Sequence, residues 1–160
     1  MNRQSLLSQF EKLLPLAAKW AAAVEKRILC EGVPLSVQGL LDARAVGVRD
    51  PERVRLLALP CVPTPSDLTL KAAVAAIQFL TPATRGLALR YGIFVRSDCW
   101  GERRLIAHEL VHTAQYERLG GIRPFLRQYL NECLTVGYPA GPMEQEAIAM
   151  ASRLDFRDPA

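Results

Sequence analysis

The 160-residue chain has only two histidines, and its four cysteines stand far apart. Cys30, Cys61, Cys99 and Cys133 form no C-x-x-C, which excludes a zinc ribbon and a dithiol redox motif. Thiols scattered in this way fit a reducing cytosol better than a disulfide framework. No stretch reaches 18 apolar residues, so nothing reads as a membrane-spanning helix. The N-terminal segment has no unbroken apolar core of the kind a signal peptide needs, because Gln9, Glu11, Lys12 and Lys19 interrupt it. The expected location is cytoplasmic, non-classical export aside, since that leaves no such mark. No Lys/Arg run reaches five, and a net charge of +4 is mild and dispersed, which argues against a nucleic-acid partner. Repeats, low-complexity tracts and interdomain linkers are also missing.

What is present reads as one α+β domain over residues 1–160. A hydrophobic content of 50% and a charged content of 22% suffice for a core of ordinary size. Leu6, Phe10, Leu13, Ala17, Trp20, Val24 and Ile28 recur at helical spacing, which predicts a helix to about Leu29 that Pro15 divides. Gly32-Val33-Pro34 closes it. A weaker helix follows from Leu35 to Ala45, with Ser36 as a cap, and a buried strand over Val54–Leu59. Ser66 or Asp67 caps a helix from Leu68 to about Leu80. Leu87–Leu89 and Ile93–Val95 read as two strands or one bent strand.

Both histidines fall in His108-Glu109-Leu110-Val111-His112. On a helix, positions i and i+4 share a face, so the two imidazoles can reach a single ion. Glu109 is rotated about 100° from His108 and about 60° from His112, which lets it flank that ion without binding it. In H-E-x-x-H sites two neutral imidazoles hold a zinc ion, and the carboxylate handles the proton of the water the ion binds. The helix should run from about Glu102 to Arg118 and end at Gly120-Gly121. Gly92–Arg96, the strand just ahead of it, would place an unpaired sheet edge beside the ion, where an extended peptide can add.

A catalytic zinc ion usually takes a third protein ligand. No third histidine exists, so the candidates are Glu132, Glu144 and Glu146. Glu132 lies at the border of the apolar side of a helix spanning about Arg123–Val136. On the last helix, about Met143–Leu154, Glu144 shares a face with Ala147, Ile148 and Ala151, while Glu146 points toward the side of Arg153. A carboxylate on an inward face of small residues is costly unless it is paired or bound to a cation.

H-E-L-V-H with a later helix carrying Glu144-Gln145-Glu146-Ala147 resembles the gluzincin metallopeptidases, in particular the HtpX-like and injection-system-associated branches. Those branches read E-x-x-A-D on the third-ligand helix, and this chain has Ile148 at the aspartate. The resemblance covers residues 92–154 and implies a small zincin-like fold, mostly helical, whose edge strand precedes the metal-binding helix, with residues 1–90 as a helical and strand scaffold. It implies a Zn2+ ion on His108, His112 and Glu144, with Glu109 as general base. The thermolysin-like pattern instead places Asn-Glu twenty residues after the second histidine, where Asn131-Glu132 stands. Helix facing and the resemblance favour Glu144.

The implied activity is that of a soluble zinc-dependent hydrolase, a metallopeptidase acting on a peptide or protein substrate. Tyr138, in the Gly/Pro-rich loop before Glu144, is the candidate donor to the developing oxyanion. Gln115 and Tyr116 read as supporting residues on the metal helix, and Cys99 and Trp100 as walls of the site. The competing reading is a non-catalytic, metal-stabilised domain that binds a protein partner or serves a larger assembly.

Overall fold

The computed structural model describes residues 3–154, with side chains from residue 8 onward. Among these residues there are six α-helices and one four-stranded mixed sheet: an α+β domain. In chain order the elements are α1 (Arg3–Glu31), β1 (Val33–Pro34), α2 (Val37–Ala45), β2 (Arg55–Leu59), α3 (Leu68–Ala76), β3 (Gly86–Leu89), β4 (Gly92–Arg96), α4 (Arg103–Leu119), α5 (Ile122–Thr135) and α6 (Pro142–Ser152). No described helix is long and apolar enough to cross a membrane.

Helix α1 runs through Pro15 without a break, contrary to the division its sequence predicts. A proline inside a helix costs about 3 kcal/mol. The buried stripe Leu14, Ala17, Ala21 and Ile28, laid against the sheet and α5, offsets that cost. Ser36 accepts from the Gly39 backbone N–H and Asp67 from that of Leu70, so both caps fall where the sequence put them. Helix α3 stops four residues short of Leu80, and the chain turns through Gln78 at φ +53°.

The strand order is β1-β2-β4-β3. β2 runs parallel to β4, with Leu57 opposite Phe94, whereas β3 and β4 form an antiparallel hairpin pairing Leu87 with Phe94. Ile93, Phe94 and Val95 are all fully buried, so both faces of β4 are covered. This corrects one expectation. The strand that runs into the metal helix is internal, and the free edge belongs to its hairpin partner β3. A period-two pattern cannot reveal the order of strands in a sheet. α4 packs against β3, α2, α5 and α6, which brings the H-E-x-x-H turn between the sheet edge and the last helix.

Candidate metal centre

α4 buries Ala107, Leu110, Val111 and Ala114, and Gly120 ends it in the left-handed region at φ +94°, its N–H bonded to the Tyr116 carbonyl. This helix holds His108 and His112 one turn apart, with their Nε2 atoms 3.2 Å from each other. Opposite them, α6 opens on Pro142 and presents Met143, Glu144, Ala147 and Ala151 inward. Ala147, fully buried, lets the two helices close. Ile148, placed on the same face by its angle, is nearly half exposed instead. Glu144 Oε1 lies 3.0 Å from His112 Nε2, and Oε2 lies 3.3 Å from His108 Nε2. Tyr129 on α5 donates its hydroxyl to Glu144 Oε1 at 2.6 Å.

These three residues are the one group of three or more His, Cys, Asp and Glu side chains among the described residues arranged to hold an ion. Donors bound at about 2.0–2.2 Å around a tetrahedral ion stand roughly 3.3–3.6 Å apart. The imidazole nitrogens stand 3.2 Å apart and 3.0 and 3.3 Å from the two different oxygens of Glu144, and one ligand atom from each residue lies within 4.8 Å of the others, so a shared ion asks for a small expansion of the cluster and a turn of the carboxylate. Two imidazole nitrogens and one carboxylate oxygen form a donor set well suited to zinc.

The protonation states follow from the geometry. Burial pushes the His112 pKa down, but the hydrogen bond its ring donates to Glu144 and the charges of Glu109 and Glu144 outweigh it, and the net shift is upward. Burial likewise works to raise Glu144, yet hydrogen bonds from both imidazoles, the His112 charge and the Tyr129 hydroxyl hold its carboxyl well below the ordinary range. Glu109 is raised chiefly by burial, with the like charge of Glu144 adding to it; the two imidazoles and the Ala88 backbone amide act the other way.

Glu109 lies against the sheet edge. A Cβ on Gly86 would stand 2.6 Å from Glu109 Oε1 and 3.0 Å from Cδ, so only glycine lets β3 pass this close to the carboxylate. Next to it the Tyr116 hydroxyl donates to the Ala88 carbonyl, which bolts β3 to α4.

On its far side, His112 Nδ1 meets Gln115 Oε1 at 2.8 Å. The Gln115 amide nitrogen donates to the Met143 carbonyl at 3.0 Å and to Glu146 Oε2 at 2.8 Å, which fixes the amide's orientation and leaves its oxygen to accept from Nδ1–H. In the neutral ring the lone pair is then on Nε2, the atom that faces Glu144. Arg118 closes the chain of contacts on Glu146 at 2.7 Å.

The other candidates fall elsewhere. Glu132 is outside the cluster; it accepts from the Met143 backbone N–H at 2.8 Å and so caps α6, whose own N-cap, Gly141, has no side chain to do so. Glu146 pairs with Arg118 on α4. Cys99 and Trp100 do not line the cleft: Cys99 is buried with its sulfur accepting from Arg85 Nε at 3.2 Å, and Trp100 is about half exposed. Tyr138 stands on the wall of the cleft with 63% of its surface exposed. Burial and the charges of Glu144 and Glu109 raise its pKa.

The apolar stripe of α5 includes Tyr129, and the bond of its hydroxyl to Glu144 is not visible in the sequence pattern. The available signal was that a tyrosine on a buried face needs a partner for its hydroxyl. Gly86 gave no signal at all. The cleft above the cluster has a volume of about 390 Å³ and is walled by β3, α4, α5, Phe79 and Trp20.

Comparisons of the chain with protein-family models, with curated proteins and with solved structures found no match.

Proposed function

We propose that this chain is a small zinc-dependent metallopeptidase of gluzincin type, in which His108, His112 and Glu144 hold the ion and Glu109 is the general base. The observation behind this reading is that His108, His112 and Glu144 bring ligand atoms within 4.8 Å of one another in the lining of an open cleft, with the buried Glu109 carboxylate beside them. A bound zinc ion supplies Lewis acidity and makes water acidic enough to lose a proton near neutral pH.

The protein's own groups do the rest. Glu109, pressed against Gly86 and facing the Ala88 amide, takes the proton of the attacking water and returns it to the leaving amine. Its raised pKa suits a group that must both accept and release a proton. Gln115 keeps His112 in the Nδ1–H tautomer, and Tyr129 fixes the carboxylate of Glu144. Tyr138, at the cleft wall with its hydroxyl protonated, is the donor assigned to the developing oxyanion. Gly86, on the free edge of β3, is the point where an extended peptide would add a strand. The four unpaired thiols suit a reducing compartment, and we place the protein in the cytoplasm on that ground.

A second reading, a metal-stapled domain without turnover, draws on the depth at which Glu144 is buried and on its bond to Tyr129. Peptide turnover by the zinc-loaded protein beside Glu109→Gln separates the two. The peptidase reading expects cleavage that chelators and Glu109→Gln both abolish. Cleavage that survives Glu109→Gln, or none by the zinc-loaded wild type, would contradict it.

A further inference from the structure

Half of the rim strand β3 is already engaged. The Arg96 N–H donates to the Arg85 carbonyl at 2.8 Å, so Arg85 is a hydrogen-bonded partner of β4. In an antiparallel ladder such partners alternate with residues whose backbone groups face the other way. Leu87 and Leu89 therefore turn toward β4, whereas Gly86 and Ala88 turn their N–H and C=O outward to the rim.

At Ala88 both outward groups meet α4. The Tyr116 hydroxyl donates to its carbonyl at 3.2 Å, and its amide faces the Glu109 carboxylate. In the turn that follows, Thr113 Oγ1 donates to the Arg90 carbonyl at 2.7 Å. Glu109, Thr113 and Tyr116 stand at i, i+4 and i+7, one stripe of the helix, and all three are buried. That stripe lies where a fifth strand would, and covering an edge with a helix is one way a sheet is kept from pairing with other chains.

The turn ahead of β3 is satisfied from within. Thr84 N–H donates to the Thr81 carbonyl, the Thr81 and Ala83 amides donate to the Thr84 and Thr81 hydroxyls, and Arg96 Nη1 donates to the Pro82 carbonyl. Among the described residues of β3, Gly86 is left with both outward groups turned to the cleft and no partner from α4 or from this turn. The cleft volume of about 390 Å³ is near the lower end of the roughly 300–1,000 Å³ that small-ligand sites span.

We propose that the cleft recognises a short, flexible peptide segment through one residue paired with Gly86, and that α4, rather than a substrate strand, fills the rest of this edge. The proposal rests on the peptidase reading and adds the class of substrate: loose loops and chain ends, not segments that need a long ladder. A strand added to a long edge bonds through every second residue, so its contacts recur at i, i+2 and i+4. Here a single residue of the peptide should make them.

The test uses uncleavable phosphinic peptides, with a phosphinate in place of the scissile bond, titrated by calorimetry into the zinc-loaded wild type. Single amides are replaced by esters along the chain, which removes one N–H at a time. One replacement, at the residue opposite Gly86, should weaken binding about three- to tenfold, the worth of a hydrogen bond, and the residues two places away on either side should change it less than about twofold. Lengthening the peptide beyond that residue's neighbours should add little affinity. Comparable losses at residues two apart, or affinity that climbs with each added pair of residues, would overturn the single-residue contact. If peptides are nevertheless cleaved, the peptidase reading survives that failure. One sensitive ester position without cleavage of any peptide would support the contact and sink the peptidase reading.

Discussion

Glu25 and Glu144 are both carboxylates almost wholly withdrawn from water, yet their surroundings differ. Glu25 takes two hydrogen bonds from the Arg90 guanidinium at 2.8 and 2.9 Å and a third from the Tyr91 backbone N–H. Buried Asp42 is held in the same way by Arg103, at 2.7 Å to each oxygen. Glu144 faces two imidazoles and a phenol, none of which carries a permanent charge. A buried carboxylate is tolerable when it is paired or bound to a cation. In the Glu25 and Asp42 pairs the protein supplies that cation as an arginine. At Glu144 the ring nitrogens meet the carboxylate at spacings that suit a shared ion, and that contrast is the physical basis for calling one carboxylate structural and the other functional.

The contrast sets a series of measurements. The largest effect should come from Glu109→Gln, with zinc content kept and peptide turnover down by roughly 10²–10⁴-fold, the contribution of a positioned general base. Gly86→Ala should follow the same pattern, because the new Cβ displaces the Glu109 carboxylate without touching a donor. Zinc content and circular dichroism should stay at wild-type values while kcat falls. Loss of zinc in Gly86→Ala would show that the edge supports the cluster rather than the base. Gln115→Ala frees His112 Nδ1 and should weaken zinc affinity by about 10–100-fold, measured by competition with a chelator of known affinity.

Glu25→Gln should do the opposite, costing about 2–3 kcal/mol of stability in urea, discounted for the partial exposure of Arg90, with zinc affinity unchanged. The smallest effect belongs to Glu132→Ala, which removes the cap on α6 and should cost about 1 kcal/mol.

The cluster around Glu144 also sets a pH dependence. In the metal-free protein the His112 pKa lies above its ordinary 6.5, so the stability it contributes is complete below 6.5 and lost as pH rises through the raised value. The Glu144 pKa lies below 4.5, so its contribution is present above 4.5 and lost only as pH falls through the lowered value. Glu109, raised above 4.5, favours its protonated form in the fold and also gives up stability as pH rises. The metal-free protein should therefore lose thermal stability as pH rises above 6.5. Added zinc, which needs neutral imidazoles, should stabilise it more over the same range.

Much of this site was legible in the sequence because it is local. His108 and His112 are one helical turn apart, and the helix they define was placed within a residue of its observed bounds. Facing and the family resemblance together favour Glu144 over Glu132, and in the fold it is Glu144 that meets the two histidines. Pairings between elements were not legible. Glu132 looked like a rival donor until α6 was placed against it, and Gln115 could be seen to lie near His112 but not to reach Glu146. Sequence order puts β4 next to α4 and so suggests it as the edge strand, whereas β2 runs parallel to β4 and leaves β3 at the rim. Gly86, Phe79 and Trp20 join the site only through tertiary packing, which no local period encodes.

The most direct test is zinc titration of the metal-free wild type, His112→Ala, Glu132→Ala and Glu144→Ala by isothermal calorimetry. One ion per chain should bind the wild type and Glu132→Ala alike, and neither His112→Ala nor Glu144→Ala should retain tight binding. Undiminished affinity in Glu144→Ala would contradict the account.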